Sequence, residues 1–471
     1  MKQSNGQTNP TAGLLPTIGD LFTTDIPVWY EGNGGVSSVW LSICEEERNQ
    51  TTSLLESVAD LRNLRRAFKQ VKANGGSSGV DKQSIHAFGV WFKTHYAELQ
   101  IELLTETYTP NLVKGISIPK ATGGTRDLGI PTIKDRVVQQ AVNQVLQPYY
   151  DPKFSQFSYG FRPHRDAHGA LRQSCRYIQS GKTHIVDIDL AKFFDEVNHQ
   201  RLLWLLGTRI GDKRLLCLIR KTLETGILKD GLVSQRIKGT PQGSPLSPLL
   251  SNIVLDELDQ ELTRRGLSFV RYADDLQIFV SSRSSAERIL PNLTLFIEGQ
   301  MKLKVNANKS GIRRAQSATF LGYRLLYGGK LGLSERSETR LKSKLKELTQ
   351  RNRGISFEQL LKEVQQTLQG WLNYFRLAQM KSKLASIDSW LRRRLRCFRL
   401  KQCKRVMGIV RFLRKLGVEK KLSWRTALSG KGWWRLSNSP GSAIGMDNNW
   451  FIKQGFYSLS ANYQKLFRNP L

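Results

Sequence analysis

The sequence is short of acidic residues. Against 72 lysines and arginines it has only 39 aspartates and glutamates, which gives the 471-residue chain a formal charge of +33. An excess this large is not typical of an ordinary cytosolic enzyme and predicts a polyanionic partner, most simply a nucleic acid. An anionic membrane surface is the alternative that the charge alone leaves open.

Further absences narrow the class of protein. No uninterrupted apolar span approaches 20 residues, and the N-terminus has no hydrophobic segment of the signal-peptide type, so we expect a soluble intracellular protein. The five cysteines form no C-x-x-C pair, which is typical of reduced thiols and argues against a structural zinc site. All six histidines lie in the first 200 residues, so we expect no histidine-dependent nuclease module in the C-terminal half.

The beginning of the chain predicts a polar tail followed by helices. Residues up to about Cys44 are rich in Gly, Thr, Ser and Asn and contain no recognisable catalytic or binding motif. From Leu54 to Val71 apolar residues recur at helical spacing, which predicts one continuous helix. A second helix is expected after Asp81, through Tyr96.

The other motifs are arranged around residues 271–276, Arg-Tyr-Ala-Asp-Asp-Leu. This stretch lies between two runs of apolar, mostly β-branched and aromatic residues, 267–270 and 276–280, which predict buried strands with Ala273–Asp275 at the turn of a hairpin. Two adjacent carboxylates there repel each other unless a cation compensates them, and hard oxygen ligands suit Mg²⁺. A solvated Asp-Asp turn is the simpler interpretation of these residues taken alone.

A second acidic segment, residues 184–190, is predicted to meet the first. It is an apolar strand that carries Asp187 and Asp189, and strand alternation places these two side chains on the same face. Acids in an otherwise apolar strand are unfavourable unless they are paired or bind a metal. Asp189 is therefore the expected third carboxylate beside Asp274 and Asp275, in a site suited to two metal ions and phosphoryl transfer.

Two further segments have residues suited to a nucleotide. Residues 116–131 predict a β-hairpin around a Gly-Gly turn, with Lys120 and Arg126 flanking it. Paired cations of this kind are well suited to bind a triphosphate. A lone basic hairpin, however, is usually just the solvent-exposed edge of a sheet. Residues 239–252 are rich in Gly and Pro, which predicts a shaped loop that leads into a helix through Ile253.

These motifs together resemble those of bacterial group II intron-encoded proteins, which are reverse transcriptases with maturase function. The resemblance runs from about Leu61 to Tyr463. Seven segments follow the order of that family: Ile118-Pro119-Lys120 with Arg126, Ser158–Pro163, Asp189–Asp195, Gly239–Asn252, Tyr272–Asp275, Asn306 with Lys309, and Phe320–Tyr323. The chain departs from the family pattern at Lys114-Gly115 and at Asp127, where proline is usual.

The resemblance implies an α+β fold of the right-hand polymerase type, with fingers, a palm that has an antiparallel sheet and the Tyr-Ala-Asp-Asp hairpin, and a helical thumb. The expected domains are a polar N-terminal extension at 1–50, fingers and palm at 51–330, a helical thumb or maturase domain at 331–405 and a basic DNA-binding region at 406–471. The HNH endonuclease domain of some relatives is not expected.

The resemblance also implies roles for individual residues. Asp189, Asp274 and Asp275, with Leu190 beside them, would hold two Mg²⁺ ions at the catalytic centre. The expected nucleotide contacts are Lys120 and Arg126 at the triphosphate, Gln242 at the sugar, Phe194 as a steric gate against a 2′-hydroxyl, and Lys309 on the primer side. The expected primer or template contacts are Tyr272, Arg162 and Gly243.

The C-terminal third is expected to bind RNA or DNA. Between Lys381 and Arg425 sixteen cations stand against two acids, which is more than a solvated helix face needs. Such a surface can follow a phosphate backbone, and its affinity falls with salt. The residues expected to make these contacts are Arg392, Arg393, Arg394, Arg396, Lys401, Lys404 and Arg405. Trp433 and Trp434 suit single-strand contacts, with core packing as an equal alternative.

The expected function is RNA-directed DNA synthesis by a Mg²⁺-dependent nucleotidyltransferase that also binds group II intron RNA to assist splicing and mobility. The expected partners are intron RNA, an RNA template, a DNA primer or target, dNTPs and a second copy in a homodimer, with no membrane. The expected location is the bacterial cytoplasm, with nucleoid association. Two alternatives stay open: a splicing maturase in which polymerisation is secondary, and a domesticated reverse transcriptase in DNA repair or phage defence.

Overall fold

The computed structural model describes residue 48 and residues 50–119, 124–430 and 432–468. The chain divides into two compact units, one of residues up to Ser174 together with His184–Arg313, the other of Cys175–Thr183 together with Arg314 onward. Residues 331–405 and 406–471, predicted as separate domains, fall in the same unit. The boundaries of the four domains stay a prediction.

The first part of the described chain alternates helices with short strands. Its elements in order are α1 (Leu54–Ala59), α2 (Leu61–Asn74), α3 (Ile85–Leu104), β1 (Val113–Pro119), β2 (Thr125–Ile130), α4 (Ile133–Tyr150), α5 (Ala167–Gln179), β3 (His184–Asp189), α6 (Phe193–Glu196), α7 (His199–Gly207), α8 (Lys213–Glu224), β4 (Ile227–Lys229), β5 (Leu232–Ser234), α9 (Ser247–Arg264), β6 (Ser268–Tyr272), β7 (Asp275–Val280), α10 (Arg283–Leu295) and β8 (Gly311–Arg314).

Two four-stranded sheets organise this part of the protein. The strand order is β2-β1-β4-β5 in one sheet and β6-β7-β3-β8 in the other. In the second sheet, β7 pairs antiparallel with both β3 and β6, so the two acidic segments of the sequence become neighbours. Val186, Phe269 and Ile278 are completely buried in a core that also contains Leu258 of α9. The apolar side chains of these mostly buried strands thus anchor the sheet, while Asp189 and Asp275 at its acidic end are only half-buried.

Two sequence expectations are corrected here. The single helix expected from Leu54 to Val71 is broken at Asp60, whose carboxylate accepts hydrogen bonds from the backbone amides of Arg62 and Asn63 and so caps a new helix. Helix α9 begins at Ser247, six residues before Ile253, with Pro248 in its first turn. Proline is tolerated there because the first amides of a helix have no intrahelical partner.

The second part of the chain is helical apart from one small sheet. Its elements are β9 (Thr319–Phe320), β10 (Tyr323–Leu325), β11 (Leu331–Leu333), α11 (Glu335–Leu348), α12 (Phe357–Phe375), α13 (Lys381–Gln402), α14 (Val406–Lys415), α15 (Lys420–Ala427), α16 (Trp433–Leu436), α17 (Pro440–Gly445), α18 (Asn448–Lys453) and α19 (Leu459–Arg468). The three strands are ordered β11-β10-β9. Asp388 of α13 caps α19 by accepting hydrogen bonds from the amides of Leu459 and Ser460.

The observed architecture confirms the expected α+β class. Within the described residues, no helix is both long and apolar enough to cross a bilayer. The four cysteines of the described chain, Cys175, Cys217, Cys397 and Cys403, are free thiols.

Candidate active site

The two acidic segments meet at one end of the β6-β7-β3-β8 sheet. Strand β3 ends at Asp189 and β7 begins at Asp275, and these two residues face each other across the antiparallel pair. Asp274 lies in the two-residue turn that connects Tyr272 to Asp275. The hairpin expected from the sequence is therefore present, with one difference: Asp275 is the first residue of β7 and not part of the turn.

The backbone of this turn adopts an unusual conformation. Ala273 has a φ of 57°, in the left-handed region that costs a non-glycine residue roughly 1–2 kcal/mol. Gly160 packs directly on the turn, since a Cβ at this position would lie 2.2 Å from the amide nitrogen of Ala273. In addition, Nη1 of Arg271 donates a hydrogen bond to the Ala273 carbonyl oxygen over 3.0 Å. The turn therefore depends on the Arg271 side chain and on the absence of a side chain at Gly160.

Asp189 is held by the segment that follows α10. The side-chain amide of Asn306 donates to Oδ2 of Asp189 over 3.0 Å, and Nζ of Lys309 lies 3.3 Å from the same oxygen. The backbone amide of Asp189 donates to the hydroxyl of Ser310 over 3.0 Å. Leu190, the next residue, bridges to Val305 of the same segment. The motif Asn306 with Lys309 thus acts on the first acidic strand through direct contacts.

The carboxylates destabilise one another's charged forms. Burial, reinforced by the charges of Asp187, Asp274 and Asp189, raises the pKa of Asp275 to about 7. Burial also raises the pKa of Asp274, and the nearby cations Arg126 and Lys309 oppose that rise. A bound cation would stabilise the ionised forms of these desolvated, mutually repelling carboxylates.

The site fits Mg²⁺ in its donor chemistry. Carboxylate oxygens from Asp189, Asp274 and Asp275 are hard ligands, and their mutual repulsion is the electrostatic deficit that a divalent cation removes. Among the described residues, no three acidic, histidine or cysteine side chains already converge as a metal-binding group. The ligand set, including the carbonyl of Leu190, and the number of ions stay predictions.

Backbone hydrogen bonds connect the Gly/Pro-rich loop to β2 and to α6. The amide of Gly129 in β2 donates to the carbonyl oxygen of Gln242 over 2.9 Å, and the amide of Thr240 donates to the carbonyl oxygen of Phe194 over 2.6 Å. Gly243 has a φ of 124°, and a Cβ there would lie 2.5 Å from the carbonyl oxygen of Gly129. The structure thus brings together Phe194, Gln242 and Gly243, which the sequence analysis assigned to nucleotide and template.

The basic hairpin is described in part. Arg126 pairs with Ile118 across β1 and β2. Lys120 lies outside the described residues. Asp127, where the family usually has proline, accepts hydrogen bonds from the hydroxyl of Ser117 over 2.5 Å and from Nζ of Lys229 over 2.9 Å. The carboxylate of Asp127 in β2 therefore links this strand to Ser117 in β1 and to Lys229 in β4.

Tyr272 and Arg162 have different environments. Tyr272 is half-buried at the end of β6, next to the turn. Arg162 is buried, and its guanidinium donates to the carboxylate of Asp151 over 2.8 Å and to the carbonyl oxygens of Ser155 and Ser158 over 2.6 and 3.1 Å. The nucleic-acid contact expected of Arg162 stays a prediction, with these donors already engaged inside the protein.

The arginines of α13 pack against aromatic residues of the C-terminal helices. The guanidinium of Arg393 lies 3.9 Å from the centre of the Trp434 ring, and Arg396 donates to the carbonyl oxygen of Met446 over 2.9 Å. Arg394 donates to the hydroxyl of Thr349 over 2.5 Å. Other pairs of the same kind are Arg392 with Phe456, Arg399 with Phe412 and Lys401 with Trp433. Lys401, Lys404 and Arg405 are exposed.

Two residues that contact segments of the site, Asp187 and His199, had no role among those expected from the sequence. Asp187 accepts a long hydrogen bond from Gln277 over 3.4 Å and lies 3.7 Å from Nε of Arg313. Strand alternation, which places Asp187 on the same face as Asp189, could have identified Asp187 as part of the site. His199 is buried, with Nε2 2.7 Å from the carbonyl oxygen of Gly239 at the start of the Gly/Pro-rich loop. No local pattern indicated that contact.

Two family models match this chain, and the range of the first contains all seven ordered motifs. The model described as reverse transcriptase (RNA-dependent DNA polymerase) matches residues 118–325. The model described as group II intron, maturase-specific domain matches residues 339–417. The first range contains the carboxylate cluster and the nucleotide loops, and the second begins in α11 and ends just after α14.

Individual relatives agree with these matches. Protein YkfC of Escherichia coli (strain K12) is 33% identical over 293 residues, which are 53% of this chain and 75% of YkfC. Group II intron-encoded protein LtrA of Lactococcus lactis subsp. cremoris is 31% identical over 283 residues, 46% of this chain and 47% of LtrA. A chain of a partial Cas6-RT-Cas1–Cas2 complex is 24% identical, covering 52% of this chain and 42% of that one, with a TM-score of 0.34 that adds nothing to the assignment.

The fold, the acidic end of the sheet and the two family models define a reverse transcriptase, an RNA-directed DNA polymerase, joined to a maturase-specific domain. The chain belongs to the group II intron reverse transcriptase and maturase family, which confirms the resemblance seen in the sequence.

Proposed function

We propose that this protein copies RNA into DNA by in-line attack of a primer 3′-hydroxyl on a bound dNTP, with release of pyrophosphate. The observation that carries the proposal is the pairing of Asp189 with Asp275, with Asp274 in the adjoining turn. In such a reaction the protein contributes positioning and electrostatic stabilisation, not a covalent intermediate.

Two Mg²⁺ ions, held by Asp189, Asp274 and Asp275 with the carbonyl of Leu190, would supply charge neutralisation at the attacking and leaving oxygens. The residues around the carboxylates have their own tasks. Asn306 orients Asp189 through its side-chain amide. Lys309 forms an ion pair with the same carboxylate. With Mg²⁺ bound to Asp189, the ammonium group of Lys309 would be free to contact the primer.

The incoming nucleotide would lie between the basic hairpin and the Gly/Pro-rich loop. Arg126, with Lys120, would hold the triphosphate, and Gln242 would contact the sugar. Phe194 would exclude a 2′-hydroxyl, because the loop amide of Thr240 is bonded to its backbone and its ring packs 5.3 Å from that of Phe193.

Nucleic acid would contact the exposed cations near the end of α13. Lys401, Lys404 and Arg405 are solvent-exposed, whereas Arg393, Arg394 and Arg396 donate hydrogen bonds within the protein. We therefore assign the main phosphate contacts of this region to the exposed group. Intron RNA, an RNA template and a DNA primer are the proposed partners. We also propose that the protein forms a homodimer and acts in the bacterial cytoplasm, at the nucleoid.

A second candidate function, splicing assistance through RNA binding, is favoured by the maturase-specific match at residues 339–417 and by the charge of +33. The two functions use different residues. Asp274→Ala is expected to stop DNA synthesis and leave intron RNA binding unchanged in a filter-binding titration. Equal loss of both properties would contradict this division of labour.

The test of the polymerase function is extension of a DNA primer on an RNA template with Mg²⁺ and dNTPs. Wild type is expected to extend the primer and Asp274→Ala is not. Asp230→Asn is the matched control, because Asp230 lies in the β4–β5 turn with a φ of 50°, which asparagine tolerates. A well-folded wild type that makes no DNA would leave RNA binding as the leading function.

A further inference from the structure

Arg271 is a charged side chain in the core of the protein. It is 1% exposed, and its carboxylate partner Asp259, in α9, is 0% exposed. Nε and Nη2 of Arg271 donate to the two oxygens of Asp259 over 2.7 and 2.5 Å. This bidentate geometry holds the guanidinium plane in one orientation and leaves Nη1 directed elsewhere.

Nη1 connects the catalytic turn to a second motif. It donates to the carbonyl oxygen of Ala273 and to Oδ1 of Asn252, each over 3.0 Å. Asn252 in turn donates through Nδ2 to the carbonyl oxygen of Gly160 over 2.9 Å. Gly160 is the residue whose missing Cβ makes room for the turn. Nη1 therefore contacts the turn directly and is linked to Gly160, which supports the turn, through the side chain of Asn252.

The backbone of Arg271 reinforces the same junction. Its amide donates to the carbonyl oxygen of Phe157, and its carbonyl oxygen accepts from the amide of Tyr159, each over 2.9 Å. Segments 158–163, 239–252 and 271–275, which are far apart in the sequence, thus meet at one residue. Three of the seven ordered motifs therefore have a common contact in Arg271.

Stability alone does not account for such a pair. The desolvation of two charges largely cancels their attraction, and replacing a buried ion pair with apolar side chains of similar size is often neutral or stabilising. The carbonyl of Ala273, by contrast, needs a fixed donor, because the left-handed conformation of this residue persists only when its surroundings enforce it.

We propose that Arg271 is a positioning residue for DNA synthesis, held by Asp259 and Asn252 so that Nη1 fixes the Ala273 turn and, through it, Asp274 and Asp275. This inference rests on the proposed polymerase function. Because Arg271 is buried, its side chain is out of reach of a substrate, and its loss should slow the chemical step and leave the affinities for dNTP and primer–template unchanged.

The test uses a double substitution, Arg271→Met with Asp259→Leu, which removes both charges together and keeps the volume apolar. The matched control is Arg201→Met with Glu257→Leu, because Arg201 and Glu257 form a bidentate pair between α7 and α9 with hydrogen bonds of 3.1 and 2.7 Å. Thermal unfolding establishes that both variants fold. Single-nucleotide addition then gives kcat and the KM for dNTP, and a titration gives the Kd for primer–template.

We expect kcat to fall about 10²-fold in the Arg271/Asp259 variant, the loss associated with a misplacement of about 1 Å at a reacting centre. KM, Kd and the kcat of the control should stay at wild-type values. A folded Arg271/Asp259 variant with wild-type kcat would overturn the proposal.

A second variant covers the case in which the first does not fold. Asn252→Ala removes an acceptor of Nη1 and the bond to Gly160 while leaving the ion pair in place. It should lower kcat with KM unchanged, and a wild-type kcat here would also overturn the positioning role. Failure of the proposed function is distinguishable, because in that case wild type itself makes no DNA.

Discussion

Replacing Gly160 with alanine should slow DNA synthesis about 10²-fold without unfolding the protein. The added Cβ would lie 2.2 Å from the amide nitrogen of Ala273, whereas ordinary van der Waals contact begins at 3.4 Å, so the turn or the Gly160 segment must retreat by about 1 Å. A displacement of that size at the carboxylates costs about 10²-fold in rate. The overpacking itself costs about 1–3 kcal/mol of stability, which a protein of this size survives.

The assay is single-nucleotide addition under saturating dNTP, with thermal unfolding of the same sample. Gly160 does not have a positive φ, so the effect of Gly160→Ala comes from the contact and not from backbone strain. Gly299→Ala is the control, because its Cβ would meet no atom within 4 Å and its φ is also not positive. Wild-type rates in a folded Gly160→Ala variant would refute the view that the Ala273 turn limits the geometry of the site.

Three further predictions concern other parts of the protein. Phe194→Ala should raise the ratio of ribonucleotide to deoxyribonucleotide incorporation, and an unchanged ratio in competition assays would remove the gate. Burial lowers the pKa of His199, so the unfolded chain binds its proton more readily, and stability should fall as pH drops below about 6.5. Urea unfolding should show wild type losing up to about 1.4 kcal/mol per pH unit more than His199→Gln there; parallel curves would contradict the assignment. Changing Lys401, Lys404 and Arg405 together to Gln should reduce the slope of log K for RNA against log salt by about 2, and an unchanged slope would place the phosphate contacts elsewhere.

The parts of the site that could be predicted are those encoded by local patterns. Strand alternation placed Asp187 and Asp189 on one face of an apolar strand, and two apolar runs around Asp274 predicted the hairpin. Pairing of the two acidic segments followed from the chemistry of unpaired carboxylates, and the register of Asp189 with Asp275 agrees with it. The break at Asp60 was also readable, because aspartate before a helical run is a common N-cap.

The parts that were missed depend on contacts between distant residues. The ion pair of Arg271 with Asp259 joins a strand to a helix, and nothing in either segment marks the partner. The same holds for the C-terminal arginines. Their density predicted a nucleic-acid surface, but Arg393 and Arg396 meet Trp434 and Met446 only after the helices pack. Charge counts do not show which cations are exposed.

Asp189, the last residue of β3, and Asp274, in the turn before β7, are proposed to act as a single catalytic unit. The most direct measurement is the rate of DNA synthesis on an RNA template by Asp189→Asn, by Asp274→Asn and by the double variant. Residues that act as a unit are strongly non-additive, so we expect each single variant to lose synthesis and the double variant to be no slower than the slower single one. Losses that multiply in the double variant, or a single variant with the wild-type rate, would contradict the account.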